Sequence, residues 1–544
     1  MHGRVKVKAP KELQAEREQE ERALAKKFKE DLDKAWAKRR AKCYDDEALK
    51  ITARILMLNA DYQTIWNFRR EIILHMEKES DMEKVYMDEL KFSSSCLVKH
   101  PKSYATWYHR RCIIIAMKNP PFAEEVQACN QFLDLDERNF HCWDYRRFIC
   151  NYGKIDHKDE IDFTAKKIGQ NFSNFSAFYY RSSILTQSHN GGTLDINDFW
   201  DTDYEMISNA IFVDPNDQSP WFYHRWLLAI DKYMDLQNPD PETLLHKIIF
   251  DRSNNRIFYQ FFRPFREHPF ESIIIVTKEG QTISVNDIVW EKNEQSSCDL
   301  WYHEIENVTT IDVISFQYSG KQYTVDLPQL DEKSNLQVNV ITPLGKEKRC
   351  KTGSRLDSAK VDNLKLLQEL EPDNKWVNLT LSSFNDKPHE ELFTKLAQLD
   401  PLRCNYYYDQ RSKQIISNRL EDYTSESEFA INGVKLTCLY FANDFTNLRI
   451  LDLTNNHFSR LSSDFNTLIV LETLILDDNY INYTDGCFSM LTLKKLSLKN
   501  NKITDLQVIQ PIKNCPSLEL VDLTGNPINH EKPSPIPINI KLIF

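Results

Sequence analysis

A five-residue phrase recurs through the first half of this chain. Trp66 opens WNFRR, Trp107 opens WYHRR and Trp143 opens WDYRR; Phe178 opens FYYRS and Trp221 opens WFYHR. The spacings are 41, 36, 35 and 43 residues. A fixed period of this size decides architecture, because each unit buries its apolar face only against its neighbours. Within four of the copies the aromatic precedes a basic pair by one helical turn, which places them on one face, and FYYRS keeps the first basic residue. An Arg stacked on a neighbouring Trp is one way such units are held together. Four of the copies, those that open on Trp, follow an apolar run with a polar break: LMLNAD, CLVKHP, FLDLDE, IFVDPND. The unit reads as helix, short loop, helix, and the expected architecture is mainly α, a solenoid of helical hairpins.

The chain in order extends this. Residues 11–42 are dense in Lys, Glu and Arg, with Leu24, Phe28, Leu32 and Trp36 forming one helical stripe. That stripe is expected to dock on the first repeat, the alternative being a partner subunit. Residues 270–345 read as strands. SIIIVTK (272–278) is a β-branched run, Val313 to Leu327 alternates about Ser319-Gly320, and Leu336, Val338 and Val340 alternate again. Short strands at close spacing predict a β-sandwich, immunoglobulin-like without the disulfide. Helical text returns at 360–402, so this module reads as an insertion. From residue 436 a second repeat appears, Leu448-x-x-Leu451-x-Leu453-x-x-Asn456. Its Asn recurs at 479, 501 and 526, at spacings of 23, 22 and 25, which is a leucine-rich repeat. The leucines fill each coil and the Asn satisfies backbone groups at the bend. The expected domains are helical repeats at 1–242, the sandwich at 243–352, further helical repeats at 353–430, and leucine-rich repeats at 431–544.

Composition excludes several classes. The net charge of −11 argues against nucleic acid as a partner. No run of 18 apolar residues is present to span a membrane, and MHGRVKVKAP lacks the apolar centre of a signal peptide. Twelve scattered Cys read as reduced thiols in a cytoplasmic protein. No phosphate-binding glycine loop, no nucleophile elbow and no His-Glu-x-x-His is present, and the fourteen His show no zinc-ligand spacing. The chain alone is therefore expected not to catalyse. A scaffold and an accessory subunit of an enzyme both fit.

The Trp-x-x-Arg-Arg phrase at this long period resembles the repeat of the protein prenyltransferase α subunits, over about residues 45–235. That resemblance implies a crescent of helix pairs wrapped around a β subunit. The β subunit would hold the zinc that activates an acceptor cysteine, together with the pocket for the isoprenoid. It also implies diphosphate contacts from the loops just before two Trp residues. Here these are Lys102 and Tyr104 before Trp107, and Asn139 and His141 before Trp143. Phe140 stands where the family commonly has Tyr, so a hydroxyl contact is not expected there. The sandwich insert, the leucine-rich array and the opening MHGRVKVK are similar to the type II, or Rab, geranylgeranyltransferase α subunits. That likeness implies geranylgeranyl diphosphate as substrate, and Rab GTPases as acceptors, presented by a Rab escort protein docked on the helical domain. It further implies that the N-terminus can approach the β subunit's metal, with His2 as a reversible zinc ligand in trans. The shared farnesyl/type I α subunit stays open as an alternative, although it would lack the two extra modules.

Overall fold

The computed structural model describes residues 11–76, 81–230, 245–253, 255–265, 270–285, 298–318, 321–329, 336–340, 356–383, 390–421, 423, 427–442, 445, 448–486, 488–529 and 535–544. His2, Ser319 and Gly320 lie outside them. The chain divides into two compact units, 1–207 and 208–544.

The first unit is built from helices: α1 (Lys11–Arg40), α2 (Asp46–Leu58), α3 (Gln63–Met76), α4 (Met82–Lys99), α5 (Tyr104–Ala116), α6 (Phe122–Leu135), α7 (Phe140–Tyr152), α8 (His157–Gln170), α9 (Phe175–Asn190) and the start of α10 (Asn197–Val213). Polar caps set the helix starts. Asp45 accepts from the Ala48 amide at 2.8 Å, and Asn139 from the amides of His141 and Cys142. Helix α1 does dock on the first repeat. Phe28 and Leu32 pack on its core, and Arg54 and Arg39 bridge to or from Asp31 and Glu71. Leu24 stays 49% exposed, so the expected stripe docks only from Phe28 onward.

The Trp of each repeat does two things. It fills the hairpin, and its indole N–H ties down the loop behind it. Trp66 donates to Ala60 O at 2.8 Å, Trp107 to Pro101 O at 2.9 Å and Trp143 to Glu137 O at 2.8 Å. The cap of the next repeat's second helix reaches the same carbonyl. Ser103 donates to Ala60 O at 2.9 Å, Asn139 to Pro101 O at 2.9 Å and Asn174 to Glu137 O at 3.1 Å. One loop carbonyl thus joins two consecutive repeats.

The two basic residues of the phrase separate in the structure. The first Arg is buried and forms a doubly bonded ion pair with an acid on the next repeat: Arg69 with Glu89, Arg110 with Glu125, Arg146 with Glu160 and Arg181 with Asp203. The expected stacking on Trp is corrected. Arg69 lies over Phe92 at 4.2 Å and Arg146 over Phe163 at 3.5 Å, because the carboxylate pulls each guanidinium toward the following repeat. The second Arg is half-buried or exposed and lies over an aromatic of the next repeat: Arg70 over Tyr108, Arg111 over Phe148 and Arg147 over Tyr179.

In the second unit, α11 (Gln218–Leu228) carries the Trp of the fifth repeat, whose N–H meets Pro215 O at 2.9 Å. Two four-stranded antiparallel sheets follow. Their strands are β1 (Leu245–Asp251), β2 (Arg256–Phe265), β3 (Ser272–Thr277), β4 (Thr282–Ser284), β5 (Cys298–Glu304), β6 (Ile311–Tyr318), β7 (Lys321–Asp326) and β8 (Leu336–Val340), in the orders β5-β2-β1-β8 and β4-β3-β6-β7. Ile248, Tyr259 and Trp301 of one sheet share a core with Ile273, Ile314 and Phe316 of the other. Helices α12 (Ser358–Leu370) and α13 (Lys375–Leu381) then resume the solenoid. Asn374 caps α13 and donates to Pro215 O at 2.7 Å, the carbonyl that Trp221 holds. Asn378 donates to Pro372 O, six residues back, as each Trp does. The β-module is therefore inserted between consecutive repeats, and an Asn replaces the sixth Trp.

Helices α14 (Glu390–Leu399) and α15 (Cys404–Glu421) lead into the leucine-rich array. Its parallel sheet has six strands: β9 (Glu428–Ala430), β10 (Ile450–Asp452), β12 (Thr473–Ile475), β14 (Lys495–Ser497), β15 (Leu520–Asp522) and β16 (Lys541–Ile543). The pair β11 (Arg460–Leu461) and β13 (Tyr483–Thr484) lies beyond the bend. Each Asn side chain bridges coils as expected. Asn479, for example, accepts from Phe458 N at 3.0 Å and donates to Leu453 O and Leu476 O at 3.1 Å. The first coil is invisible to the Asn period because Val434 stands at that position. Ile415, Ile416 and Leu420 of α15 belong to the array's core, so this helix caps it. The outer face of the first sheet also packs on the array, with Ile249, Phe258 and Tyr302 against Ile469 and Val470. A buried Asp251–Arg449 pair at 3.4 Å adds to that contact.

Candidate functional site

The proposed diphosphate residues lie at two neighbouring helix starts in the first unit. Ser103 caps α5 and Asn139 caps α7, so Lys102, Tyr104 and His141 all sit at helix N-termini, where the helix dipole favours an anion. The shared Pro101 carbonyl fixes the two starts to each other.

Tyr104, Phe140 and His141 come together as one aromatic cluster. The His141 ring lies 4.1 Å from Tyr104, edge to face, and 3.9 Å from Phe140, with 6.1 Å between Tyr104 and Phe140. His141 is 7% exposed, whereas Tyr104 is 70% exposed. Burial pushes the His141 imidazole below its usual value. The fields of Asp144 and Asp61 oppose this, and the charge of Lys102 adds to it. These effects favour the neutral imidazole of His141, a hydrogen-bond donor rather than a fixed cation. Lys102 is 72% exposed, with Nζ 3.7 Å from Asp136, a loose pairing from which the side chain is free to swing. Asn139 is buried. Its oxygen accepts two backbone amides and its nitrogen donates to Pro101 O, so the fold already uses both ends.

A cleft of about 320 Å³ adjoins the cluster, lined by Tyr104, Tyr108, Arg111, Phe140, His141 and Arg147 among others. Arg111 and Arg147 were not singled out from the sequence. Their signal was the fourth position after each Trp, which the paired-Arg reading merged with the buried third. The same faces of α5, α7 and α9 expose Tyr108, Phe140, Phe175 and Tyr179, each half or more uncovered. Among the described residues no group of three or more His, Cys, Asp or Glu stands close enough to hold a metal ion, and no helix is long and apolar enough to cross a membrane.

The protein prenyltransferase alpha subunit repeat matches residues 45–76, 86–117, 122–153, 157–188 and 200–230 of this chain. All five Trp or Phe positions of the phrase fall within these matches. The geranylgeranyl transferase type-2 subunit alpha of Sus scrofa is 31% identical over 97% of this chain and 96% of its own length. The chain belongs to the protein prenyltransferase α-subunit family, in its type-2 geranylgeranyl branch. The Homo sapiens geranylgeranyl transferase type-2 subunit alpha is 32% identical over 97% of this chain and 96% of that protein. The namesake from Dictyostelium discoideum is 34% identical over 78% of itself but only 44% of this chain, so that α subunit is much shorter. A leucine-rich repeat also matches residues 447–468. As a family α subunit, this chain supplies the transferase's helical scaffold, and the helix starts at 102–104 and 139–141 are part of it.

Proposed function

We propose that this chain is the α subunit of a geranylgeranyltransferase of type II. In this reading it pairs with a zinc-bearing β subunit in the cytoplasm and transfers geranylgeranyl from geranylgeranyl diphosphate to C-terminal cysteines of Rab GTPases held by a Rab escort protein. The observation that carries the reading is full-length similarity to type-2 α subunits over the same five repeats. The exposed aromatics of α5, α7 and α9, with Arg111 and Arg147 among them, supply a surface suited to a large protein partner.

The leaving diphosphate gains negative charge as its bond to the isoprenoid breaks. Lys102 brings a mobile positive charge, neutral His141 an N–H and Tyr104 an O–H, and donors placed in advance stabilise that charge best. Asn139 serves by fixing the start of α7. Phe140 offers no hydroxyl and packs on His141 instead. Zinc would reside in the β subunit, with His2 an occasional ligand in trans. The inserted module reads as immunoglobulin-like. Strands β1, β2 and β5 correspond to A, B and E, and β3, β6 and β7 to C, F and G.

The test is acceptor choice. Co-expressed with a β subunit, the chain should support geranylgeranyl transfer to intact Rab plus escort protein and little transfer to a short C-terminal peptide. Efficient farnesyl transfer to the peptide would reassign the chain to the shared farnesyl/type I subunit.

A further inference from the structure

The junction of α15 with the first leucine-rich coil contains a buried guanidinium that, among the described residues, has no carboxylate paired with it. Arg411 is 6% exposed. One terminal nitrogen donates to Lys435 O at 2.5 Å, and the Tyr408 ring lies 5.6 Å away. Its Nε is buried with no hydrogen-bond partner. Among the described residues no Asp or Glu forms an ion pair with it. The nearest acid on its helix, Asp409, is turned to Thr437 Oγ1 at 2.6 Å and Cys438 Sγ at 3.4 Å. Buried Arg is almost always paired, because stripping water from an uncompensated charge is costly.

The groups around Arg411 are themselves basic. Lys435 and His457 occupy the same position in consecutive coils and are both exposed. The coils are joined there by His457 N to Leu436 O at 2.8 Å and by Leu436 N to Asn456 Oδ1 at 2.9 Å. Partial burial and the fields of Arg411 and Lys435 hold His457 below its ordinary value, so His457 lies within the field of both cations. Lys413 of α15 lies close by, over the rings of Tyr440 and Phe441. Three cationic or protonatable groups of this kind match an ion that carries two charges on several oxygens better than a single carboxylate.

We propose that Arg411, Lys435 and His457 form an oxyanion site of the phosphate class. It is filled either by free phosphate or by a phosphorylated side chain of a partner protein. Seated there, the anion compensates Arg411 and favours the protonated form of His457. It also ties α15 to the first coil and so couples the helical repeats to the leucine-rich array.

The experiment is calorimetric titration of the full chain at constant ionic strength. One arm uses inorganic phosphate. The other uses a phosphoserine peptide beside its unphosphorylated form. Saturable binding of phosphate or of the phosphopeptide is expected, with the plain peptide silent. The surface double variant Lys435→Gln/His457→Gln should weaken binding about tenfold or more, and Arg411→Met further still. His457 should titrate at higher pH with the anion bound, followed by NMR of ¹³C-labelled histidine. A phosphopeptide well ahead of free phosphate would assign the site to a partner protein, and the reverse to the free ion. No saturable binding in either arm would overturn the proposal, as would binding that the double variant leaves unchanged.

Discussion

Replacing Arg146 by Met removes one side of a doubly bonded ion pair whose two side chains are each 2% exposed. Glu160 is then left buried without its charge partner, so Arg146→Met should cost about 3–5 kcal/mol of stability. The next residue behaves differently. Arg147 forms an ion pair with exposed Asp144 at 3.2 Å, so Arg147→Met should cost under about 1 kcal/mol. Its effect should appear instead as weaker pairing with the β subunit. Urea unfolding of each variant, with a pull-down of β, separates the two roles; equal stability losses would show that the neighbouring arginines do the same work. Lys102→Ala should fold normally and slow single-turnover transfer by about 10², with Lys102→Arg recovering part of the rate. Two buried histidines also make stability depend on pH. Burial pushes His224 down to about 3 and His303 down to about 4. The unfolded chain protonates them near 6.5, so below that pH it binds more protons than the folded chain. Their contribution is therefore complete above about 6.5 and is lost progressively as pH falls toward 4. Urea midpoints measured from pH 7 to 4.5 should show a shallower fall in His303→Phe than in the wild type, and parallel slopes would contradict this.

At the scale of the element, the unit of construction is the shared loop carbonyl. Glu137 O receives Trp143 Nε1 and Asn174 Nδ2 together. Trp143→Phe or Asn174→Ala each leaves it one donor, while the double variant leaves it none. The double loss should exceed the sum of the singles by about 1 kcal/mol, read from a double-mutant cycle by denaturant unfolding; strict additivity would sink the shared-carbonyl account. Much of this layer was legible in the sequence. The Trp period located all five hairpins, and the Asn period located the leucine-rich coils, because both residues act at fixed offsets. The sixth hairpin was legible only as a helix and a break, since Asn378 replaces its Trp and the β-module displaces it from the fifth. The second Arg row, nearer the surface than the first, was not legible, because sequence spacing of one residue hides a change of face that packing decides. In the β-module, RIFYQFFRPF (256–265) has no clean alternation, because its outer face is also buried, under the leucine-rich array.

For the whole molecule, that buried contact changes what deletion should do. The β-module and the array cover each other, and α15 is shared between the last helices and the first coil. Stopping the chain at 430 should leave Ile415, Ile416 and Leu420 uncovered and promote aggregation. Removing 243–352 and everything after 383 takes both modules away together. That variant should still pair with β, because the five matched family repeats all lie within residues 45–230. Size-exclusion chromatography of the two truncations checks the contrast; a soluble 430 truncation beside an unpaired short variant would invert it. The central claim is that this chain is one half of a prenyltransferase. The most direct measurement is transfer of labelled geranylgeranyl from its diphosphate to Rab plus escort protein by the chain alone, by β alone and by the two together. Transfer only from the mixture, saturating at one chain per β, is the predicted result. Transfer by this chain alone, or by β at the same rate without it, would contradict the account.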